Sequence, residues 1–472
     1  MKRIPTAAQR GNLSVICARQ QDSLLYSSLI PCLIICASLV NPYRSDAQTF
    51  KTLYNFTGGN DGSAPSGLIL SGGLLYGTAA YGGGSSNGTV YSVKTDGTGF
   101  KMLHSFTSAS ADGAQPSAPL ALSATNLYGT TSYGGRNGYG TVFKVGTDGT
   151  GFTVLHHFAG VSSTDGAYPL AGLTISGNTL FGTTSDRNVG YGTVFSINTD
   201  GTGFRLVHAL QANEGVLPQA PLLLSGNTLF GTASSVFRVN TDGSGFRVLY
   251  PFSFIVDGTS LHASLLLAGN RLFGTAASGG SDNDGTVFAL NTDGSGFEVL
   301  HNFTAIITNY DGAVPEADLI LSGNKIFSST FGGGWGWGAI FQVNVDGTGY
   351  RTIYNFSEGS FDAPQGGAFP TQKMILSGNV FYGTTLKGGT SGNGTVFSFS
   401  VPMEPLQPAI SAGRGNVVLT WPTNIIGLKL QSTTNVAASV WTTVSADALV
   451  NGQNTATTAT SGPQKYFRFI QD

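Results

Sequence analysis

The chain has 472 residues, of which 68 are glycine, 40% are hydrophobic and only 10% are charged, so it is too apolar for a disordered chain and long enough to bury a large core. The formal net charge is −2, and it becomes −5 when the first 47 residues, with five basic and two acidic side chains, are left out. This balance excludes a strongly basic surface, and with it nucleic acid as an expected partner.

Residues 1–47 have the order of a secretory signal peptide. Basic residues in the first 22 positions precede a nearly apolar run at 24–40, and the small residues Ser45 and Ala47 fit cleavage after Ala47. The alternative is an uncleaved membrane anchor, although the run is shorter than the ~20 residues that a membrane-spanning helix prefers. We therefore expect a secreted or cell-surface protein that is not inserted in the membrane after cleavage. All three cysteines lie in this leader, so no disulfide is expected in the mature chain.

From residue 50 to residue 400 one pattern returns seven times. Its centre is the string GTVF, and the valine position recurs with gaps of 42 to 56 residues. The seven copies are Val90, Val142, Val194, Val236, Val287, Ile340 and Val396. A period of this size is typical of repeat architectures, in which each unit buries its faces by stacking on its neighbours.

One repeat, residues 171–210, contains four strand-length runs rich in β-branched and aromatic residues. Gly, Asn, Asp and Ser bound each run, and no run has helical spacing. Four strands in about 50 residues predict an all-β, seven-bladed β-propeller with four-stranded blades. A β-solenoid is the alternative, but its coils are shorter.

The two ends of the repeat array are complementary. FKTLYNF at 50–56 has the sequence of a fourth strand that no other three precede, and the array ends after a third strand at 395–400. We therefore expect the N-terminal strand to close the ring, within a propeller domain at 48–400.

A proline-marked linker at 401–408 precedes a tail at 409–472. The tail contains five short β-type runs separated by turn residues. It predicts a small β-sandwich, with Trp421 and Trp441 as core residues.

The combined motifs LYGTT, GTVF, DGTGF and LHxF resemble the gloeo/verruco (GloVer) tandem repeat of secreted bacterial proteins. The resemblance covers residues 50–400, and LTWP, LQSTTN and YFR in the tail look like a fibronectin-like module. The resemblance implies an exported, propeller-type protein, and it carries over no catalytic residue. Two departures are the short fourth repeat and FSST at 327–330, where FGT is expected.

Histidines are the first candidates for catalysis or metal binding. Four of them share one repeat position with three tyrosines: His104, His156, His208, His301, Tyr54, Tyr250 and Tyr354. A catalytic histidine is needed once, so interchange with tyrosine indicates a packing role. His157 and His262 have no spaced second ligand or partner carboxylate in the sequence. We therefore expect no metal site and no cofactor.

Two sets of aspartates recur. One set lies in Asp-Gly hairpin turns, where the side chain caps backbone N–H groups. The other lies in the segment after the fourth strand, on the face where the longer loops open, and its members are candidates for ligand binding: Asp112, Asp165 and Asp311, with relatives at Asp61 and Asp257. Calcium is an alternative ligand there, but the best calcium-like loop, at 282–285, has only two acids.

The Gly-rich loops between the second and third strands carry most of the aromatic candidates: Tyr81, Tyr133, Tyr139, Tyr191, Trp335 and Trp337. Exposed aromatic faces stack on sugars, while neighbouring acids and amides bind hydroxyl groups. The loop-rich face is therefore predicted to bind a carbohydrate or a surface protein. The alternative is that these rings fill gaps between loops.

The resulting hypothesis is an exported, non-enzymatic binding protein. One alternative is a polysaccharide lyase or hydrolase of propeller fold, which needs a non-repeated acid/base cluster. Another is a purely structural surface protein. The sequence leaves the oligomeric state open.

Overall fold

The computed structural model describes residues 15–16, 48–107, 112–160, 165–185, 190–252, 258, 260–304, 311–333, 336–356, 366–370 and 372–401, together with seven strands of the tail. The described residues form β-strands and no helix, so none of them forms a helix that could cross a membrane. The chain divides into two units. One is Gln48–Val401, and the other combines Met1–Ala47 with Pro402–Asp472.

The first unit is a propeller of seven antiparallel blades, as predicted. In blades 2 to 6, consecutive strands are neighbours, so the connections inside these blades are hairpins. In blade 1 the first strand is split into two pieces, both of which pair with the second strand. The strands follow in chain order.

The first two strands are β1 (Val15–Ile16) and β2 (Thr49–Asn55). Blade 1 has β3 (Ser63–Pro65), β4 (Ile69–Ser71), β5 (Leu74–Tyr81), β6 (Thr89–Lys94) and β7 (Lys101–Ser105). Blade 2 has β8 (Ala121–Ser123), β9 (Asn126–Thr131), β10 (Thr141–Gly146) and β11 (Thr153–His157). Blade 3 has β12 (Thr174–Ser176), β13 (Thr179–Thr184), β14 (Thr193–Asn198) and β15 (Arg205–Ala209). Blade 4 has β16 (Leu223–Ser225), β17 (Thr228–Thr232), β18 (Ser235–Asn240) and β19 (Arg247–Pro251).

Blade 5 has β20 (Leu266–Ala268), β21 (Arg271–Ala276), β22 (Thr286–Asn291) and β23 (Glu298–Asn302). Blade 6 has β24 (Ile320–Ser322), β25 (Lys325–Thr330), β26 (Ala339–Asn344) and β27 (Arg351–Asn355). Blade 7 has β28 (Ile375–Ser377), β29 (Val380–Thr385) and β30 (Thr395–Ser400), with β2 as its fourth strand. The tail has β31 (Ala409–Gly413), β32 (Asn416–Pro422), β33 (Leu428–Thr433), β34 (Thr442–Val444), β35 (Ala448–Val450), β36 (Gln453–Ala459) and β37 (Tyr466–Gln471).

The N-terminal strand closes the ring. β2 pairs antiparallel with β30, in a register that runs from Thr49 opposite Ser400 to Asn55 opposite Thr395. The backbone N–H of Thr49 also donates to the hydroxyl of Ser400 at 3.2 Å. Blade 7 is therefore built from both ends of the repeat array, which confirms the prediction.

The core is distributed over the junctions between blades. Seven buried apolar clusters are present in the described chain, and each joins two successive blades. The cluster between blades 3 and 4, for example, places Phe181 of β13 with Leu229 and Phe237 of blade 4. The cluster between blades 7 and 1 includes Val396 and Tyr91. Both faces of every blade are thus covered by its neighbours.

Stacked rings add a second contact at each junction. The histidine or tyrosine of the fourth strand lies flat on the aromatic residue that opens the fourth strand of the next blade, with centroid distances of 3.5–4.6 Å and interplanar angles of 2–11°. The pairs are Tyr54–Phe100, His104–Phe152, His156–Phe204, His208–Phe246, Tyr250–Phe297, His301–Tyr350 and Tyr354–Phe50. The shared repeat position of these histidines and tyrosines is therefore a packing position.

The Asp-Gly turns between third and fourth strands have the expected capping geometry. In blade 2 the carboxylate of Asp148 accepts hydrogen bonds from the backbone N–H of Thr150 at 2.9 Å and from its hydroxyl at 2.8 Å. Gly149 has φ of +87°, which glycine adopts without strain. The turn also binds the preceding blade, because Lys101 donates to the carbonyl of Asp148 at 2.6 Å.

The second unit contains two four-stranded antiparallel sheets. One has the order β31-β32-β36-β35 and the other β1-β37-β33-β34. β1 lies within the predicted signal peptide, whose remaining residues lie outside the described ranges, as do residues 402–408 of the linker and Trp441. The signal peptide and the sandwich core stay predictions.

Replacing Phe50 by alanine tests the closure of the ring. Its ring stacks on Tyr354 at 4.6 Å and on Phe397 at 5.2 Å, so its removal leaves a cavity at the junction of blades 6 and 7. We expect the free energy of unfolding to fall by about 3 kcal/mol, measured by chemical denaturation. Met102→Ala, at a side chain that is 43% exposed, is the control and changes little. Equal stabilities of the two variants would contradict this role of Phe50.

Candidate functional site

Two loops of each blade meet on one face of the propeller. We call this the loop-rich face: it comprises the segments that precede the first strands and the loops between second and third strands. In blade 2 the two are joined by an antiparallel bridge between Ala114 and Tyr133, and in blade 6 by one between Ala313 and Gly332. The Asp-Gly turns lie at the other ends of the strands.

In blade 4 the loop between the second and third strands is much shorter than in the other blades. Its second and third strands are separated by Ala233 and Ser234 alone, with the N–H of Ala233 donating to the carbonyl of Ser235 at 2.8 Å. In blade 2 the corresponding strands are separated by residues 132–140. The short loop inferred from the fourth repeat is therefore present.

Three of the predicted aromatic residues are exposed. Tyr81 is 49% exposed, Tyr191 41% and Tyr133 37%. The other large apolar side chains that are exposed in the described chain are Leu217, on the same face, and Met102, on a fourth strand. Exposed apolar surface is thus concentrated on the loop-rich face of blades 1 to 4.

The other predicted aromatic residues lie deeper. Tyr139 is half-buried, and its ring lies 5.7 Å from that of Tyr168, which also contacts the ring of Tyr133 at 5.4 Å. Trp337 is only 9% exposed and lies 5.6 Å from the ring of Phe369. Trp335 lies outside the described residues. The loop aromatics thus divide into exposed rings and rings that pack between loops, and sugar binding by the exposed ones stays a prediction.

The predicted acids lie beneath the surface of this face. Asp112 and Asp311 are buried and Asp165 is partly buried. Each carboxylate forms a hydrogen bond with the histidine of the fourth strand that precedes it in the chain. It also accepts a hydrogen bond from a backbone N–H group just after that strand. The ring–carboxylate pairs are Tyr54–Asp61 at 3.1 Å, His104–Asp112 at 3.4 Å, His156–Asp165 at 3.0 Å, His208–Glu214 at 2.9 Å and His301–Asp311 at 3.1 Å.

These pairs explain the shifted pKa values of the acids. Burial alone would raise the pKa of Asp112, but the hydrogen bonds from His104 and Thr107 outweigh it and lower the pKa. The pKa of Asp311 is lowered in the same way by His301 and Thr304. Burial lowers the pKa of His156 despite Asp165. The arrangement recurs in five blades. In each of them the carboxylate holds the following loop to the fourth strand. The sequence motifs contained both partners, but their pairing depends on the loop fold.

One polar contact has no counterpart among the described residues of the other blades. His262, which precedes the first strand of blade 5, has Nδ1 3.3 Å from Oε1 of Glu316, which precedes the first strand of blade 6. Nearby, buried Asp318 accepts a hydrogen bond from the N–H of Ser264 at 2.6 Å. The sequence offered His262 no partner, because Glu316 lies 54 positions away.

The structure also reveals a residue type that sequence reasoning missed. One residue near the start of each blade has the left-handed conformation although it is not glycine: Ala64 lies within β3, and in the other blades the residue lies in the segment that leads to the first strand. We call this set the junction ring: Ala64, Gln115, Tyr168, Leu217, Ser260, Val314 and Phe369. In six of the seven, the N–H donates to a carbonyl in the Gly-rich loop of the preceding blade, at 2.8–3.2 Å. Ser260 follows the short loop of blade 4.

Glycine in the Gly-rich loop of the preceding blade allows the junction-ring segment to come this close. Gly140 has φ of +98°, and a Cβ atom there would lie 2.6 Å from Cδ of Pro169, the residue after Tyr168. Three of the seven positions lie in the string Asp-Gly-Ala, one variable residue and proline, and the other four lie in variants of it that keep the glycine.

The described residues contain no group of three or more His, Cys, Asp or Glu side chains placed to hold a metal ion.

Comparison with known proteins supports the repeat. Residues 38–236 match the Gloeobacter/Verrucomicrobia repeat family, which confirms the resemblance over this part of the chain. No curated protein matches the chain.

Several solved structures match this chain at low sequence identity, with TM-scores below 0.5. An oligogalacturonate lyase from Vibrio parahaemolyticus has 10% identity and a TM-score of 0.47, covering 75% of this chain and 97% of its own. A GH74 enzyme from Niastella koreensis has 16% identity and a TM-score of 0.49, covering 86% and 69%. TolB from Acinetobacter baumannii has 13% identity and a TM-score of 0.36, covering 61% and 63%. Likenesses this distant carry no functional conclusion.

The Asp112→Asn variant tests the role of the buried acids. It weakens the contact with His104 and the cap on Thr107, and we expect a loss of about 1–3 kcal/mol at neutral pH. Because the folded-state pKa of Asp112 is below its ordinary value, the stabilisation is present above about pH 4 and is lost as the pH falls through the folded-state pKa. Denaturation curves across this range should therefore converge for variant and wild type at low pH.

The matched control for this experiment is the exposed Asp282, replaced by asparagine. A constant difference between Asp112→Asn and wild type at every pH would show that the carboxylate charge is not the stabilising feature.

Proposed function

We propose that this repeat propeller is an exported binding protein that holds a carbohydrate on its loop-rich face. The observation that carries the proposal is the concentration of exposed tyrosines there. Tyr81, Tyr133 and Tyr191 come from three successive blades: Tyr81 ends the second strand of blade 1, and the other two lie in the loops between second and third strands of blades 2 and 3. An apolar patch of this kind on a Gly-rich surface is typical of an interaction site.

Tyrosine favours sugars over other ligands for a physical reason. The ring face covers sugar C–H groups, while the phenol oxygen exchanges hydrogen bonds with hydroxyl groups. Tyr133 is also supported from the side by the ring of Tyr168, so less side-chain freedom is lost on binding. In this proposal Asp112, Asp165 and Asp311 act as positioning residues, because their carboxylates already hold the loops.

The place of action follows from the leader. A basic segment, an apolar run and small residues at the cleavage position favour export, and so a secreted or cell-surface location. The partner there is a glycan, or else a surface protein that presents its own polar and apolar groups.

Alanine substitution of the exposed tyrosines tests the proposal. Wild-type protein should bind members of a glycan array, and Tyr81→Ala, Tyr133→Ala and Tyr191→Ala should each weaken binding by about tenfold, since one stacking contact is worth up to about 1.5 kcal/mol. Met102→Ala, equally exposed but on a fourth strand, should bind as wild type does. Absence of binding by the wild-type protein would remove the carbohydrate proposal and favour a protein partner or a structural role.

Cleavage of a bound polysaccharide is a second candidate function, favoured by the His262–Glu316 contact. It is a non-repeated pair of a histidine and a carboxylate, both partly exposed at 33% and 26% of their side-chain surface. A histidine oriented by a carboxylate is suited to proton transfer at neutral pH.

The His262→Gln variant distinguishes this second candidate from binding alone. If the pair transfers protons, wild-type protein should release new sugar ends from a polysaccharide that it binds, and the variant should be at least about a hundredfold slower while binding equally well. His157→Gln serves as the control. Release of no product by the wild-type protein would exclude cleavage and leave the binding proposal intact.

A further inference from the structure

The junction ring has a backbone conformation that its side chains disfavour. Its seven members have φ between +54° and +61°, where Cβ crowds the backbone. Val314 is the least favourable, because a β-branched residue is a rare occupant of this region. Ten non-glycine residues among those described have positive φ, and seven of the ten are the junction ring.

Backbone hydrogen bonds account for the left-handed conformation of the junction ring, but they do not explain why its members carry side chains instead of being glycine. In Tyr168 the N–H donates to the carbonyl of Tyr139 in the preceding blade at 2.9 Å, and the carbonyl accepts from the N–H of Ser185 in its own blade at 3.1 Å. A glycine would form both bonds with less strain. This chain places glycine at most other left-handed positions, yet at none of these seven.

The repeats differ at this position more than around it. All seven members are different residue types, while a glycine lies within three residues before each and a proline follows six of them. Phe369 has a packing role, because it stacks on Phe331 at 4.6 Å and covers the core between blades 6 and 7. Leu217 and Ser260 are exposed. Strain that is maintained for a variable, partly exposed side chain points to ligand contact.

We infer that two members of the junction ring, Tyr168 and Leu217, help to select the ligand of the loop-rich face. Tyr168, between blades 2 and 3, and Leu217, between blades 3 and 4, extend the exposed tyrosines into one platform over two successive junctions. Because the platform crosses two junctions, it fits a chain of sugars rather than a single one. This inference rests on the proposed function and adds to it the selecting residues and the ligand class.

The ligand class that fits is an uncharged polysaccharide. The two carboxylates under the platform are already occupied: Asp165 accepts hydrogen bonds from His156 and Glu214 from His208. Among the described residues of this surface, what remains is mainly ring faces, hydroxyls and the Leu217 side chain. Arg136, on the blade 2 loop, is exposed, so an acidic polysaccharide belongs in the test.

Two matched glycine variants separate ligand contact from stability. Tyr168→Gly and Val314→Gly each remove a side chain and relieve the strain of the same left-handed backbone conformation, but only Tyr168 lies in the platform. The full-length proteins are compared by thermal unfolding and by affinity electrophoresis in gels containing a neutral glucan, a neutral xylan or polygalacturonate.

We expect Val314→Gly to unfold at the same temperature as wild type or higher, because relief of strain offsets the added freedom of glycine in the unfolded chain. It should bind as wild type does. Tyr168→Gly should remain folded, and its affinity for a neutral polymer should fall about tenfold, as expected for one lost stacking contact.

Each other result has a defined meaning. Destabilisation of Val314→Gly would show that the side chain serves the fold, and unchanged affinity of Tyr168→Gly would remove it from the platform. Either result overturns this inference while wild-type binding leaves the proposed function standing. Binding of polygalacturonate alone overturns the ligand class. If wild-type protein binds none of the polymers, the proposed function fails and the inference fails with it.

Discussion

Mutual burial of blade faces is the constraint on which this structure depends. A four-stranded sheet of about 50 residues has two apolar faces and cannot cover either one alone. Here each face is covered by the next blade, through an apolar cluster and a stacked pair of rings at every junction. The arrangement is stable only as a closed ring, because an open array would leave two faces and a sheet edge exposed. The pairing of β2 with β30 meets that requirement.

The contacts that join the blades also build the loop-rich face. The carboxylate after each of five fourth strands fixes the following loop, and that loop turns through a left-handed residue to bond with the preceding blade. Side chains at that residue and in the Gly-rich loop therefore lie side by side at the junction, as Tyr139 and Tyr168 do. The face is a series of similar positions that differ in the side chains they present, and so binding can vary while the fold does not.

The sequence predicted the fold well because the repeat made each element recur. Seven copies revealed the blade number, and the incomplete units at the two ends revealed the closure. The site was predicted less well, since exposure depends on contacts between blades. Trp337 and Tyr191 share a repeat position, yet Phe369 covers the first and leaves it buried, while the second is exposed. The left-handed residues were not predicted, because the recurring glycine and proline indicate a turn but do not give the backbone conformation of the variable residue between them. The His262–Glu316 contact was not predicted, because its partners belong to different blades.

Closure by β2 has a consequence for the order of folding. Thr49 and Ser400, which pair across the seam, are 351 positions apart, so the first strand of the propeller to be synthesised waits for the last. Pairing over such a separation is slow, because a long loop must close before any contact rewards it. Blades 1 to 6 can assemble in sequence during this interval, as a crescent with one apolar flank at each end. We expect such a crescent to close into a ring late in folding, and until then to be the form of the chain most prone to associate with its own copies.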